Sequence, residues 1–165
     1  MRKNQGFTLI ELMVTIAVFA IIVMMAAPSF GNMVTKQKLN RDTRALVSAF
    51  NLAKSQASAL KRSVAVCPDK TLADGSYTRE QCAEDAIPSY ALLSPADKTD
   101  AVDNRVILVA LDKKVTLGAS SVTKVVFNEV GSVGTAQQIS LCANKELRTL
   151  TVQVLGSVTQ TTGSC

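Results

Sequence analysis

The 165-residue chain has no histidine and no tryptophan, and aromatic residues make up only 4% of it. Without histidine, the usual general base for a serine or cysteine nucleophile is missing, and so is the commonest zinc ligand. The four cysteines include no C-x-x-C pair, which makes metal binding the weaker reading of them. Neither Gly131-Ser132-Val133-Gly134 nor Gly156-Ser157-Val158 is followed by the Lys-Ser/Thr that a phosphate-cradling loop requires. Nothing here supports catalysis or a cofactor, so an enzyme is not expected. Charge is scarcest near the amino terminus, where Glu11 is the single ionisable side chain between residues 7 and 27.

That stretch reads FTLIELMVTIAVFAIIVMMAA, long enough at helical rise to cross a bilayer. A carboxylate there costs about 2.5 to 3.5 kcal/mol at a helix centre and less toward the end, where Glu11 lies. It needs a cation, and the run holds no Lys or Arg. A free amine at Phe7 would serve, and it exists only if the chain is cut after Gly6. Residues 1–6 (MRKNQG) are short and basic, with Arg2 and Lys3 holding that end in the cytoplasm. A secretory signal places its apolar stretch before the cut. Here the stretch follows it, so the anchor would stay on the mature protein.

Gly6-Phe7-Thr8-Leu9-Ile10-Glu11 resembles the processing motif of type IV prepilins and type II secretion pseudopilins at all six positions. The resemblance implies that a prepilin peptidase of the inner membrane cuts between Gly6 and Phe7 and methylates the new amine. Gly6 suits the cut because a residue without a side chain lets a protease approach the backbone. It also implies that Glu11 neutralises the Phe7 amine of a neighbouring subunit. That would be a buried ion pair used to set register more than to add stability.

The net charge of +5 is unevenly spread. From residue 31 to 62 there are seven bases (Lys36, Lys38, Arg41, Arg44, Lys54, Lys61, Arg62) against Asp42, while residues 63–165 hold nine bases and eleven acids. A basic stem beside an acidic head favours contact with anionic lipid heads and neighbouring stems over a DNA-binding stripe. Pro28 should bend the helix near the membrane surface. Beyond it, Leu39, Leu46, Phe50, Ala53, Ala57 and Leu60 fall on one helical face and predict an amphipathic stem over 31–62. The expected division is a leader at 1–6, a helix at 7–62 with its membrane part at 7–27, and a periplasmic head at 63–165.

In the head, alternating apolar and polar residues predict strands at Ser63–Cys67, Ser89–Leu93, Arg105–Leu111, Lys124–Asn128, Gln138–Cys142 and Arg148–Leu155. A long helix followed only by strands is an α+β pattern, with the stem packed on an antiparallel sheet or a sandwich-like head. Pro68–Pro88 reads as a surface loop. Cys67, Cys82, Cys142 and Cys165 suggest two disulfides in an oxidising periplasm. Three pairings are open. Cys67–Cys82 with Cys142–Cys165 is favoured, since each joins a strand end to a flexible segment. Asp97, Asp100 and Asp103 recur in a supposed loop, but their spacing is not that of an EF-hand calcium loop.

Within the prepilin group the head resembles the FimU, FimT and GspH minor pilins and pseudopilins. The stem segment Leu46–Leu60, the SVAVC strand, Phe127-Asn128 to Gly131, and TLTVQVLGSV carry that likeness. DNA-binding FimT proteins have Gly-Arg-x-Arg where this chain has Gly156-Ser157-Val158-Thr159. The missing arginines argue against direct DNA binding. The C-terminal cysteines look more like FimU. The implied role is a minor type IV pilin in a priming or tip complex, supporting pilus biogenesis and twitching motility. Its implied partners are other minor pilins and the major pilin. Its implied location is the inner membrane with a periplasmic head, then the pilus. A GspH-like secretion pseudopilin and a FimT-like DNA-uptake pilin are the alternatives.

Overall fold

The computed structural model describes residues 8–72 and 75–165, apart from the side chains of residues 25–29. Gly6 and Phe7 lie outside the described residues, and helix α1 (Leu9–Leu60) runs unbroken through Pro28, where a bend was expected. The chain divides into two compact units, residues 1–35 and 36–165, and α1 contributes to both.

In the second unit, α1 buries Leu39, Leu46, Ala49, Phe50, Ala53 and Ala57, a stripe at helical spacing. Leu60, expected on that stripe, is half exposed because the helix ends there and Lys61 turns into the left-handed region (φ 53°). The stripe covers two sheets. One has three strands in the order β2 (Val106–Val109), β1 (Val64–Pro68), β4 (Val125–Phe127). The other has four, in the order β3 (Thr116–Leu117), β5 (Gln137–Ala143), β6 (Glu146–Val152), β7 (Val158–Ser164).

All five residues of β1 are buried, because both faces of its sheet are covered. Val64 and Val66 join α1 and the second sheet in the main core, where the Phe50 and Phe127 ring centroids lie 6.3 Å apart. Ala65 and Cys67 point the other way, into a smaller core beneath α2 (Arg79–Ala86). The result is an α+β fold with the long helix packed on its sheets.

The head departs from the expected all-strand, all-antiparallel pattern in four places. Arg79–Ala86 is helical inside the supposed surface loop, and its Cys82, Ala83 and Ala86 are buried. Thr78 and Gln81 form a capping box at its start. Ser89–Leu93 is not a strand: Ser89 has φ 56° and Tyr90–Leu92 make one 3₁₀ turn, with Leu92 exposed. Pro95–Asn104 is helix α3, capped by Ser94, so Asp97, Asp100 and Asp103 sit on a helix and not a loop. Finally, β1 and β2 pair in parallel, Ala65 opposite Val106. Parallel neighbours need a long crossover, which the helical segment between them supplies. The short strand β3 and the edge strand β7 also extend the second sheet beyond the expected set.

Candidate functional site

At the start of α1, Thr8 Oγ1 accepts a hydrogen bond from the Glu11 backbone N–H at 3.3 Å. This places Thr8 as the cap and Glu11 in the first turn, where free N–H groups and the helix dipole favour a carboxylate. Around it every large apolar side chain from Leu9 to Met24 is exposed, Leu9 at 77% and Phe19 at 70%. They occupy all sides of the helix, so no single stripe could be covered by folding within this unit. Among the described residues no helix is long and apolar enough to cross a membrane. The described side chains of this stretch end at Met24, short of the expected span.

The basic stem is largely neutralised within the second unit. Lys36 pairs with Glu146 and Lys38 with Asp112, both at 2.8 Å. Arg41 holds Asp42, which is almost fully buried and also accepts the Asp112 backbone N–H at 2.7 Å. Lys54 donates to the Leu155 carbonyl, and Arg62 reaches Asp100 at 3.4 Å. The expectation of a basic face free for lipid heads is corrected accordingly: most of these charges tie α1 to the head. Lys38 holds the Asp112 carboxyl below its usual range, and Lys36 does the same for Glu146. Burial and a hydrogen bond to Asp85 push the Tyr77 hydroxyl well above its ordinary value.

Two disulfides close the head, Cys67–Cys82 and Cys142–Cys165. The first fastens α2 to β1 inside the smaller core, with both residues fully buried. The second ties Cys165, just past the end of β7, to Cys142 of β5 on the far side of β6. The three aspartates of α3 are dispersed: Asp97 accepts from Ser94 Oγ, Asp100 meets Arg62 and Asn104, and Asp103 lines a groove. Among the described residues no group of acids and cysteines could hold a metal ion.

Sequence reasoning missed a paired feature at one end of the head. Asn128–Ser132 and Gln153–Ser157 form the same turn twice. In each the first residue's N–H donates to the fifth carbonyl and the glycine N–H to the first. Gly131 and Gly156 take φ of 75° and 74°, and a Cβ on Gly156 would lie 2.5 Å from the Gly131 carbonyl. The two turns abut, and their tips expose Val130 and Leu155. The near-repeat EVGSV and VLGSV was the available signal.

Two family models match the chain. The prokaryotic N-terminal methylation motif covers residues 1–27. The type II transport protein GspH model covers residues 42–157, more than half of the chain. The chain belongs to the GspH family. With the methylation motif in front, this is a pilin-like or pseudopilin-like protein. Neither a curated protein nor a solved structure matches it.

Proposed function

We propose that the protein is a minor, FimU-like subunit of a type IV pilus, and that it enters a priming or tip complex with other pilins. The observation that carries this reading is the helix from Leu9 to Met24, apolar and exposed on every side, with one carboxylate in its first turn. Such a surface is satisfied first by lipid and then by the packed helices of a filament. A prepilin peptidase cuts after Gly6, and the Phe7 amine of a neighbouring subunit neutralises Glu11. Before assembly the helix anchors the protein in the inner membrane with the head in the periplasm.

A second reading, the GspH-type pseudopilin of a secretion system, is favoured by the matching family itself. It uses the same processing and the same helix. Deleting the gene separates the two. Loss of surface fibres and twitching supports the pilus role, while intact fibres with failed protein export support the secretion role. In the wild type, intact-mass and N-terminal analysis should find a chain starting at a methylated Phe7. A chain still carrying residues 1–6 in the filament would overturn either assignment.

A further inference from the structure

A groove of about 600 Å³ lies between the last turns of α1 and the start of β2. Leu52, Leu60 and Ile107 give it an apolar lining, and Arg62, Arg79 and Arg105 stand around it against Asp100 and Asp103. Three features of this groove lack a partner. The first is backbone. Ala65 N–H donates to the Arg105 carbonyl at 2.8 Å and Asp69 N–H to the Val109 carbonyl at 2.9 Å, so the odd-numbered residues of β2 face β1. Val106 and Leu108 therefore turn their N–H and C=O groups to the open edge of the sheet, where no described strand pairs with them.

The second is Gln56. Its Oε1 is shielded from solvent yet has no hydrogen-bond donor among the described residues. Buried acceptors are rarely left that way, and Gln56 is one of the residues lining the groove, so a small shift of its amide would bring this acceptor to the opening. The third is positive charge. Among the described residues Arg105 hydrogen-bonds only the carbonyl and hydroxyl of Ser63, both at 3.0 Å, and Asp100 reaches it through charge alone. Arg79 has no ion pair among the described residues, and Asp100 is already engaged by Arg62 and Asn104.

An open strand edge, an acceptor waiting for an N–H, unpaired guanidinium groups and an apolar lining together describe a seat for peptide. We infer that the groove takes an extended segment of a neighbouring filament subunit as an added strand on β2, with an Asp or Glu carboxylate set against Arg105 and Arg79. Main-chain bonds to Val106 and Leu108 give such a site affinity, and the arginines give it selectivity. An anionic lipid headgroup would answer the arginines alone and leave the strand edge and Gln56 unmet. The inference rests on the protein being a filament subunit, as proposed above.

The test uses the full chain in cells lacking the native copy, comparing wild type with Gln56→Leu and Arg79→Glu. Neither side chain makes a hydrogen bond or ion pair within the described head, so both variants should melt at or above the wild-type temperature in detergent. Incorporation into sheared filaments is expected to fall at least fivefold for each. In assembled wild type, the Val106 and Leu108 amides should exchange with deuterium at least tenfold more slowly than in the solubilised chain. Equal incorporation of both variants, or unprotected amides in the assembled wild type, would overturn the inference while leaving the subunit role intact. Absence of the wild-type chain from any filament would remove both.

Discussion

The first half of α1 and the head solve opposite problems. From Leu9 to Met24 the helix leaves its apolar side chains open to whatever surrounds it, and its one carboxylate, in the first turn, has no ion-pair partner among the described residues. The head buries Leu46, Phe50, Phe127 and Leu141 completely, and its acids pair with Lys36, Lys38 and Arg62 of the stem. The head is therefore stabilised by contacts it makes internally. The apolar side chains of the amino-terminal helix are left uncovered among the described residues, and under the proposed role lipid or neighbouring helices would cover them. Changes in the two regions should separate cleanly into effects on assembly and effects on folding.

The sharpest contrast sets Glu11→Leu against Phe50→Ala. Glu11→Leu should leave the melting temperature of the detergent-solubilised chain unchanged and reduce filament incorporation by more than tenfold. Normal incorporation would break the comparison. Phe50→Ala should lower stability by about 3 to 5 kcal/mol through the cavity left beside Phe127, read as a large drop in melting temperature. Any loss of assembly would then follow loss of the fold.

The two disulfides sharpen the picture inside the head. Replacing Cys67 and Cys82 together by Ala should cost about 2 to 5 kcal/mol, because the bridge closes a buried core beneath α2. The Cys142/Cys165 double replacement should cost less, since β7 remains hydrogen-bonded to β6 along seven register pairs. Denaturant titration of the full chain compares them, and the reverse order would contradict the burial argument.

The smallest expected effects are those of pH on the head. Asp112 and Glu146 hold their protons less tightly when folded, so their contribution is present above the ordinary carboxylate range and is lost as pH falls through it. Tyr77 has the opposite sign. Its proton is held more tightly in the fold, so stability should fall as pH rises past about 10, where the unfolded chain ionises first. A melting curve recorded from pH 3 to 11 should therefore decline at both ends. Lys38→Met should weaken the acid-side decline and change neutral-pH stability by about 1 kcal/mol or less.

Much of this was legible in residue order because it depends on local period or on chemistry confined to one segment. The stripe from Leu39 to Ala57 and a strand at Ser63–Cys67, found one residue later as Val64–Pro68, follow from local pattern. The cap signals Thr78-x-x-Gln81 and Ser94-Pro95 were equally local, but the polar composition around them hid two short helices. The groove beside β2 had no sequence signal. It joins residues 52–60 of α1 to residues 100–107 and to Arg79, which only the folded chain brings together.

The sequence by itself determined an apolar amino-terminal run holding one carboxylate, an N-terminal methylation motif within residues 1–27, a long helix and a cysteine-stapled α+β head. Each rests on neighbours within a few residues or on a repeat at helical spacing. Tertiary structure alone decided the parallel pairing of β1 and β2, the destination of the stem's positive charges, and the unpaired edge at Val106 and Leu108. Those features arise from chain segments that meet only after the crossover helices have packed, so no local pattern could encode them.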